Sequence, residues 1–524
     1  MKQPIRVLRC CYQGIILPRL FNSTVPLVQL AGLFLCVPCH QAHAANWTVN
    51  PYIQFRETYS DNLRLARPGN ESAGFVTEAN PSLSIFRQSG KNTLNLNYRL
   101  QNLYNASGNE DATTFNQLQF SSSNALIPNK FFLNANSSIS QQNIDNTRIA
   151  NDNISGSGNR TNVNTFSLSP SWTPQFGNYA SGLAVVNYDT VTTDTIANSG
   201  RAGISDTQNF GEQIQLNSGT EFKRVGWNLS FNNRDNYRAN GNDVSFQNSN
   251  ATLRTYINKH VNVFAQGGFS DNSFQSFSGS NNNGFFYTAG VQWIPSQRYS
   301  LEAGYGNNSH VTLSLSPMQR LTWVTTFRDN QIGLNSGQTW QTALNYRTQR
   351  SNWSLTHLND TTTVQALLLK ERVIIVDGNP DPFVNQPVEI LAFFPTQTDQ
   401  VIVTKTWNFA VSFFTGKSTL TGSAFSQDRI YQLNDGHEKV TGLNGSWNWQ
   451  FAHKTSAYLT PRWQQIDRGL PVKDNRYDLG IGLIHSLTNR LNGSLEFRHL
   501  NQTSAFSTNN FEENRATASL FLRF

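Results

Sequence analysis

The sequence predicts an all-β chain: a single transmembrane antiparallel β-barrel of about 24 strands, with 22–26 as the outer bounds, preceded by a signal peptide. Three observations predict it. Segments of ten to fifteen residues alternate apolar and polar side chains along most of the chain. The connections between them alternate between tight and long. Eight of the eleven tryptophans sit beside tight connections or at the start of the first segment. A period of two places one face against one solvent and the next face against another.

Composition fits that reading. Hydrophobic residues make up 38% of the 524 positions and charged residues only 14%. Asn, Ser, Thr, Gln and Gly fill the gap, which suits a sheet with one thin apolar face and one wet, uncharged face. A wide apolar core is excluded by the shortage of apolar residues.

Residues 1–44 read as a secretory signal. Lys2, Arg6, Arg9 and Arg19 are basic, an apolar region runs from Val25 to Val37, and Ala42-His43-Ala44 offers a small-x-small cleavage site. The apolar run is shorter than the ~20 residues of a spanning helix. All four cysteines, Cys10, Cys11, Cys36 and Cys39, lie in this segment. The remaining chain, 45–524, therefore has no disulfide scaffold, thiolate metal site or cysteine nucleophile. Leu33-Phe34-Leu35 before Cys36 lacks the small residue of a lipidation site. The formal charge of +7 falls to +3 without the leader, so basicity gives no argument for nucleic acid.

The alternation is explicit. Leu94, Leu96, Tyr98 and Leu100 interleave with Asn95, Asn97 and Arg99. Phe131, Leu133, Ala135 and Ile139 repeat the pattern, as do Phe166, Leu168 and Trp172, and Val261 through Phe269 at odd positions. Tyr477 to Leu483 and Leu491 to Phe497 follow suit near the end. Eleven tight turns punctuate the chain, at 89–92, 128–130, 175–178, 223–226, 258–260, 296–298, 317–320, 350–352, 415–418, 453–455 and 488–490. Longer polar connections fall between them, such as 144–160, 191–205, 238–243, 274–283 and 362–398. Eleven strand pairs with a first and a last strand give 24, with both termini on the short-turn rim. The count is least regular between 300 and 361.

Trp172, Trp227, Trp293, Trp323, Trp353, Trp447 and Trp449 lie within six residues of a tight turn, and Trp47 opens the first strand on the same rim. Indole prefers a membrane interface, so these eight read as an aromatic girdle. Closure follows from hydrogen bonding, since an open sheet edge in hydrocarbon leaves backbone groups unpaired. A soluble solenoid or secreted adhesin is the competing all-β reading.

The carboxyl-terminal strand ends Ala516, Ala518, Leu520, Leu522 and Phe524 on one face. Leu520, Leu522 and the terminal Phe524 resemble the insertion signal of bacterial outer-membrane barrels, with Ser519 where glycine is frequent. This implies the bacterial (Gram-negative) outer membrane as location. It also implies the outer-membrane lipids and the barrel insertion machinery as partners. The amino-terminal strand carries Trp47, Pro51 and the run Tyr59-Ser60-Asp61-Asn62. With Phe524, these resemble a family of outer-membrane proteins associated with the PEP-CTERM/exosortase system, and the wider group of β-barrel porins beside exopolysaccharide genes. The resemblance implies a role in exopolysaccharide production or export, with a polysaccharide and a periplasmic export protein as partners, and no catalytic residues.

From the residues alone, Asp61-Asn62 reads as a turn cap or as a ligand-facing pair. The stretch 362–398, with Leu367-Leu368-Leu369 and Val373-Ile374-Ile375-Val376, is too apolar for a free loop. It reads either as a gate or constriction folded over or into the lumen, or as a hairpin extending two strands beyond the membrane and packed on itself. Inward positions are expected to be amides and hydroxyls with occasional arginines such as Arg56, Arg87 and Arg99. No phosphate loop, zinc-spaced histidines or nucleophile elbow occurs, so no catalytic, cofactor or metal residues are expected. His485 and His499 near Ser486 and Ser494 read as interfacial residues ahead of a nucleophile–base pair. A lumen so wide predicts a plug, a folded-in loop or a periplasmic partner. Three functions follow: a non-enzymatic, porin-like conduit or scaffold in exopolysaccharide export, a sleeve around a partner such as a periplasmic cytochrome, or a barrel enzyme acting on lipid or glycan.

Overall fold

The computed structural model describes residues 46–105, 112–144, 148–150, 152–155, 159–194, 205–276, 282–370 and 398–524. Residues 1–44, where a leader is expected, the four cysteines among them and residues 371–397 of the apolar-rich stretch lie outside them.

Among the described residues, 24 strands form one antiparallel sheet. They are β1 (Asn46–Ser60), β2 (Gly74–Gln88), β3 (Asn92–Asn105), β4 (Thr113–Ile127), β5 (Phe131–Asn143) and β6 (Arg160–Trp172). Next come β7 (Ala180–Thr193), β8 (Thr207–Ser218), β9 (Val225–Arg238), β10 (Val244–Tyr256), β11 (Val261–Ser273) and β12 (Gly284–Ser296). Then follow β13 (Tyr299–Gly306), β14 (Asn308–Met318), β15 (Leu321–Asn330), β16 (Gly337–Arg347), β17 (Ser351–Thr363) and β18 (Val401–Phe414). The last six are β19 (Ser418–Tyr431), β20 (Gly436–Ala452), β21 (Thr455–Asp467), β22 (Asp474–Ser486), β23 (Leu491–Thr503) and β24 (Phe511–Arg523). A two-residue piece, Gln175–Phe176, prolongs β6 along β7. One short helix, α1 (Val364–Lys370), follows β17.

Each strand pairs with its neighbour in sequence, and β1 pairs with β24 from Tyr52↔Arg523 to Ser60↔Arg515. The sheet is thus closed and has no edge, which satisfies every strand's backbone in hydrocarbon. The eleven tight turns all join strands on the rim that carries both termini. The long connections occupy the opposite rim, with one difference from expectation. Asn307 alone links β13 to β14 there. A Cβ on Gly306 would lie 2.0 Å from the Tyr287 carbonyl, so this reversal demands glycine.

Register fixes which residues face out. The apolar residues that alternate in the sequence all fall on the outer face, including Leu520, Leu522 and Phe524 on β24. All eight girdle tryptophans face outward on the short-turn rim, and the other three, Trp340, Trp407 and Trp463, face outward nearer the loop rim. A second outward belt at the loop rim includes Tyr59, Phe75, Tyr104, Tyr237, Tyr287 and Tyr305. An apolar band bounded by two aromatic belts is the outer surface of a membrane barrel. The chain is an outer-membrane β-barrel.

Candidate functional site: the lumen and its two in-folded segments

The inner face has two sectors. From β3 round to β18 its residues are mostly Asn, Gln, Ser and Thr, linked by side-chain bonds such as Gln117 Nε2 to Gln141 Oε1 (3.0 Å) and Ser138 to Thr165 (2.7 Å). One charged group there is paired locally: Arg254 donates to Glu302 (2.9 Å), which His310 also meets at 3.1 Å, beneath the Phe264 ring. From β19 through β24 to β2 the inner face is densely charged. Arg429 pairs with Glu438 (2.6 Å), Arg56 with Glu78 (3.3 Å), and Arg498 forks onto Asp478 (2.8 and 2.6 Å). Arg515 sits beside Glu513 (3.4 Å), and Arg468 bonds Asp474. Paired in this way, the charges tolerate their burial.

The sequence reading expected only occasional arginines on this wall. Two departures follow. Arg87 is not an inward residue: it lies on the outer face at the short-turn rim, its guanidinium 4.9 Å from the centre of the Trp47 ring. The acidic partners Glu78, Asp478 and Glu513 were missed. The signal was present, since Arg476/Asp478 and Glu513/Arg515 are spaced by two and so share a face.

Two connections on the loop rim fold into this lumen. The first is the described part of 144–159 (residues 144, 148–150, 152–155 and 159), between β5 and β6, which the sequence marks only as a long polar loop. Its Ile149 packs on Val440 and Ile466 of β20 and β21. Ala150 packs on Leu500 and Phe511 of β23 and β24, together with Leu65. Ile154 packs on Val76 and Leu103 of β2 and β3, with Leu63. One short segment therefore reaches walls on the far side of the seam. Between its apolar pegs, Asp152 accepts from Arg515 (2.8 Å) and lies 3.9 Å from Arg498. Burial alone would raise the Asp152 carboxyl. The Arg515 and Arg498 guanidinium groups and the Ile154 N–H outweigh that and hold it well below the usual carboxylate range. Asn153 donates to Gln101 (2.8 Å) and Gln141 (3.1 Å), so wall amides take up the loop's polar groups.

The second is the end of the β17–β18 hairpin with α1. Thr362, Thr363 and Val364 are nearly inaccessible, and the Thr363 hydroxyl accepts from the Ala366 N–H (3.2 Å), starting the helix. Val364, Leu368 and Ile402 form one cluster with Val163 of β6 and Val191 of β7. Val401 joins Val244 and Phe246 of β10. Those partners point inward from other parts of the wall, so this hairpin end lies inside the barrel. Asp399 ties it to the 194–206 connection by accepting from the Ser205 N–H (2.9 Å) and hydroxyl (2.6 Å), and from Gln365 (2.8 Å). Of the stretch 362–398, residues 362–370 and 398 are described, and Val364 and Leu368 pack on the inner wall; the remainder, on which the gate and hairpin readings differ, lies outside the described residues.

The run Tyr59-Ser60-Asp61-Asn62 sits at the seam. Asp61 accepts from the Asn514 backbone N–H (2.7 Å) and side-chain amide (2.8 Å), which joins the end of β1 to the start of β24. Asn62 exchanges bonds with Ala66 (2.8 and 2.9 Å) and donates to the Glu512 carbonyl (2.9 Å). The Ser60 hydroxyl donates to Glu513 (2.6 Å), and Ser155 of the first in-folded segment bonds the same oxygen. Tyr59 packs at a tilt against Phe75 outside (5.1 Å between ring centres). The run is both a local Asx turn and a clasp across the barrel's closure.

His485 bonds Thr455 (2.9 Å) and His499 bonds Asn514 (2.8 Å), both on the outer face. Register turns Ser486 and Ser494 inward. The structure does not bring these histidines and serines together. Among the described residues no group of His, Cys, Asp and Glu is arranged to hold a metal.

No protein-family model matches the sequence. No curated protein matches it either. Solved structures do resemble the fold. They include a ferric enterobactin receptor (PfeA) of Pseudomonas aeruginosa, at 10% identity and a TM-score of 0.42 over 91% of this chain and 80% of that one. The siderophore receptor PirA of Acinetobacter baumannii gives 9% identity and 0.44 over 91% and 81%. The FrpB iron transporter of Neisseria meningitidis gives 10% and 0.41 over 91% and 82%. Likeness at this level concerns large barrels in general and says nothing of what this lumen handles.

Proposed function

We propose that this outer-membrane barrel is a non-enzymatic, porin-like conduit for exopolysaccharide export, closed at rest by its own two in-folded segments. The observation that carries the reading is the pairing of a wide, amide- and hydroxyl-lined wall with internal plugs made from loops of that same wall. Amides and hydroxyls hydrogen-bond sugar hydroxyls without demanding charge, and a barrel of 24 strands has room for a hydrated chain once the segments withdraw. The resemblance of Trp47, Pro51, Tyr59–Asn62 and Phe524 to the PEP-CTERM-associated family supports the exopolysaccharide assignment. A periplasmic export protein would deliver the glycan at the short-turn rim.

The test is single-channel conductance in planar bilayers, comparing the wild-type barrel with one carrying Val364→Asp and Leu368→Asp. Small wild-type conductance and large variant conductance, blocked by added neutral oligosaccharide, is the expected result. A large variant conductance indifferent to oligosaccharides would overturn the glycan assignment. A variant still closed, though folded and heat-modifiable, would overturn the plug.

A further inference from the structure

The charges that the conduit reading does not use are segregated by rim. The eleven short connections carry eleven basic residues and a single acidic one, Glu221. Ten of these turns hold at least one base, among them Lys91, Lys130, Lys259, Arg298, Lys417 and Arg490. The twelve connections of the other rim carry, by sequence, eight basic and fifteen acidic residues. The strands between balance, with seventeen of each sign. The barrel is therefore neutral through its wall and positive at the rim that holds its termini.

All eleven turn bases are exposed, and among the described residues none forms an ion pair. Nor are they spread at random in depth. They sit at the tips of the turns, directly beyond the eight outward tryptophans of the girdle. Arg87, stacked on Trp47 from the outer face, connects the two layers. Indoles settle at the headgroup level of a bilayer, so bases three to five residues from Trp227, Trp293, Trp323, Trp353 and Trp449, at the turn tips beyond them, lie among the phosphates. A cationic rim meant for a soluble partner needs no aromatic layer at the same height. We propose that the short-turn rim is a docking ring for anionic phospholipid headgroups, which the turn lysines and arginines pair with while the girdle fixes their depth. The ring selects acidic lipid as the barrel's first lipid shell in the leaflet at that rim. This does not depend on what passes through the lumen.

The test uses the full-length barrel in vesicles containing either dibrominated phosphatidylglycerol or dibrominated phosphatidylcholine at equal fraction. Bromine quenches nearby indole, and the tryptophans all face lipid. The expected result is severalfold stronger quenching by the phosphatidylglycerol probe at low salt, falling towards equality at 0.5 M salt as screening predicts. A barrel with Lys91→Glu, Lys130→Glu, Arg298→Glu, Lys417→Glu and Arg490→Glu should lose the preference, and the matching Gln variants should lose most of it. Heat-modifiability on gels verifies that each variant is folded. Equal quenching by both probes in the wild type would overturn the proposal. So would a preference that survives charge reversal, or acidic oligosaccharide binding the rim without any lipid selectivity.

Discussion

The two in-folded segments do the same job with different chemistry. The 144–159 segment lies against the charged sector and is held by the ion pairs of Asp152 with Arg515 and Arg498, wall amides and three dispersed apolar contacts at Ile149, Ala150 and Ile154. The β17–α1–β18 end lies against the sparsely charged sector and is held by a continuous apolar cluster around Val364, Leu368 and Ile402. The first contact is directional and dispersed. The second is non-directional and concentrated. A concentrated cluster fails as a unit once a charge is buried in it, whereas dispersed pegs fail one at a time.

The largest effect should follow from breaking the second segment. Burying an uncompensated carboxylate costs several kcal/mol, enough to invert a closed-to-open ratio by a hundredfold or more. Leu368→Asp should therefore raise mean conductance to near the fully open value.

Removing the loop's ion-pair acid should act less. Asp152→Ala leaves Arg515 buried beside Glu513, which still neutralises it in part, so a cost of about 2–3 kcal/mol is expected. In single-channel records this should appear as a second, partial conductance level, and it should add to the first effect in the double variant, because the clusters share no residue.

The pH response separates the segments further. The Asp152 carboxyl is depressed in the folded state, so its contribution is complete above the unfolded value of ~3.9 and is lost as pH falls through the lower folded value. Conductance of the wild type should stay flat from pH 8 to about pH 4. Opening should appear only under stronger acid, and Asp152→Asn should lack that acid step. An opening transition near pH 6 in the wild type would contradict this arrangement.

Smaller effects belong to the seam. Asp61→Ala removes two bonds across the β1–β24 closure and should lower stability by about 1–3 kcal/mol, read as a lower temperature at which the folded band is lost on gels. Ser155→Ala removes one of two hydroxyls on Glu513 and should cost under ~1 kcal/mol, leaving closure intact and only slightly raising the frequency of brief openings.

Most of the barrel was readable before folding. Strand positions, the count of 24 and the outward face of each alternating apolar run follow from a period of two, which is a local property. The eight tryptophans mark their rim because indole answers to the bilayer, not to neighbouring residues. The inner face was less readable. Composition points to amides and hydroxyls with occasional arginines, while the charged sector shows only in the two-residue spacing of Arg476 with Asp478 and Glu513 with Arg515. The seam clasp was half visible: Asp61-Asn62 announces a turn, but its partner Asn514 lies more than 450 residues away.

The sequence by itself determined that the chain crosses a membrane as a closed sheet, because alternation and turn chemistry act within a few residues. Only the tertiary structure decided which connections fold inward. Ile149, Ile154 and Leu368 find their partners on strands brought near by closure of the ring, and no local pattern encodes that distance. The same holds for the Asp152–Arg515 pair, whose strength depends on a burial that exists only once β24 meets β1.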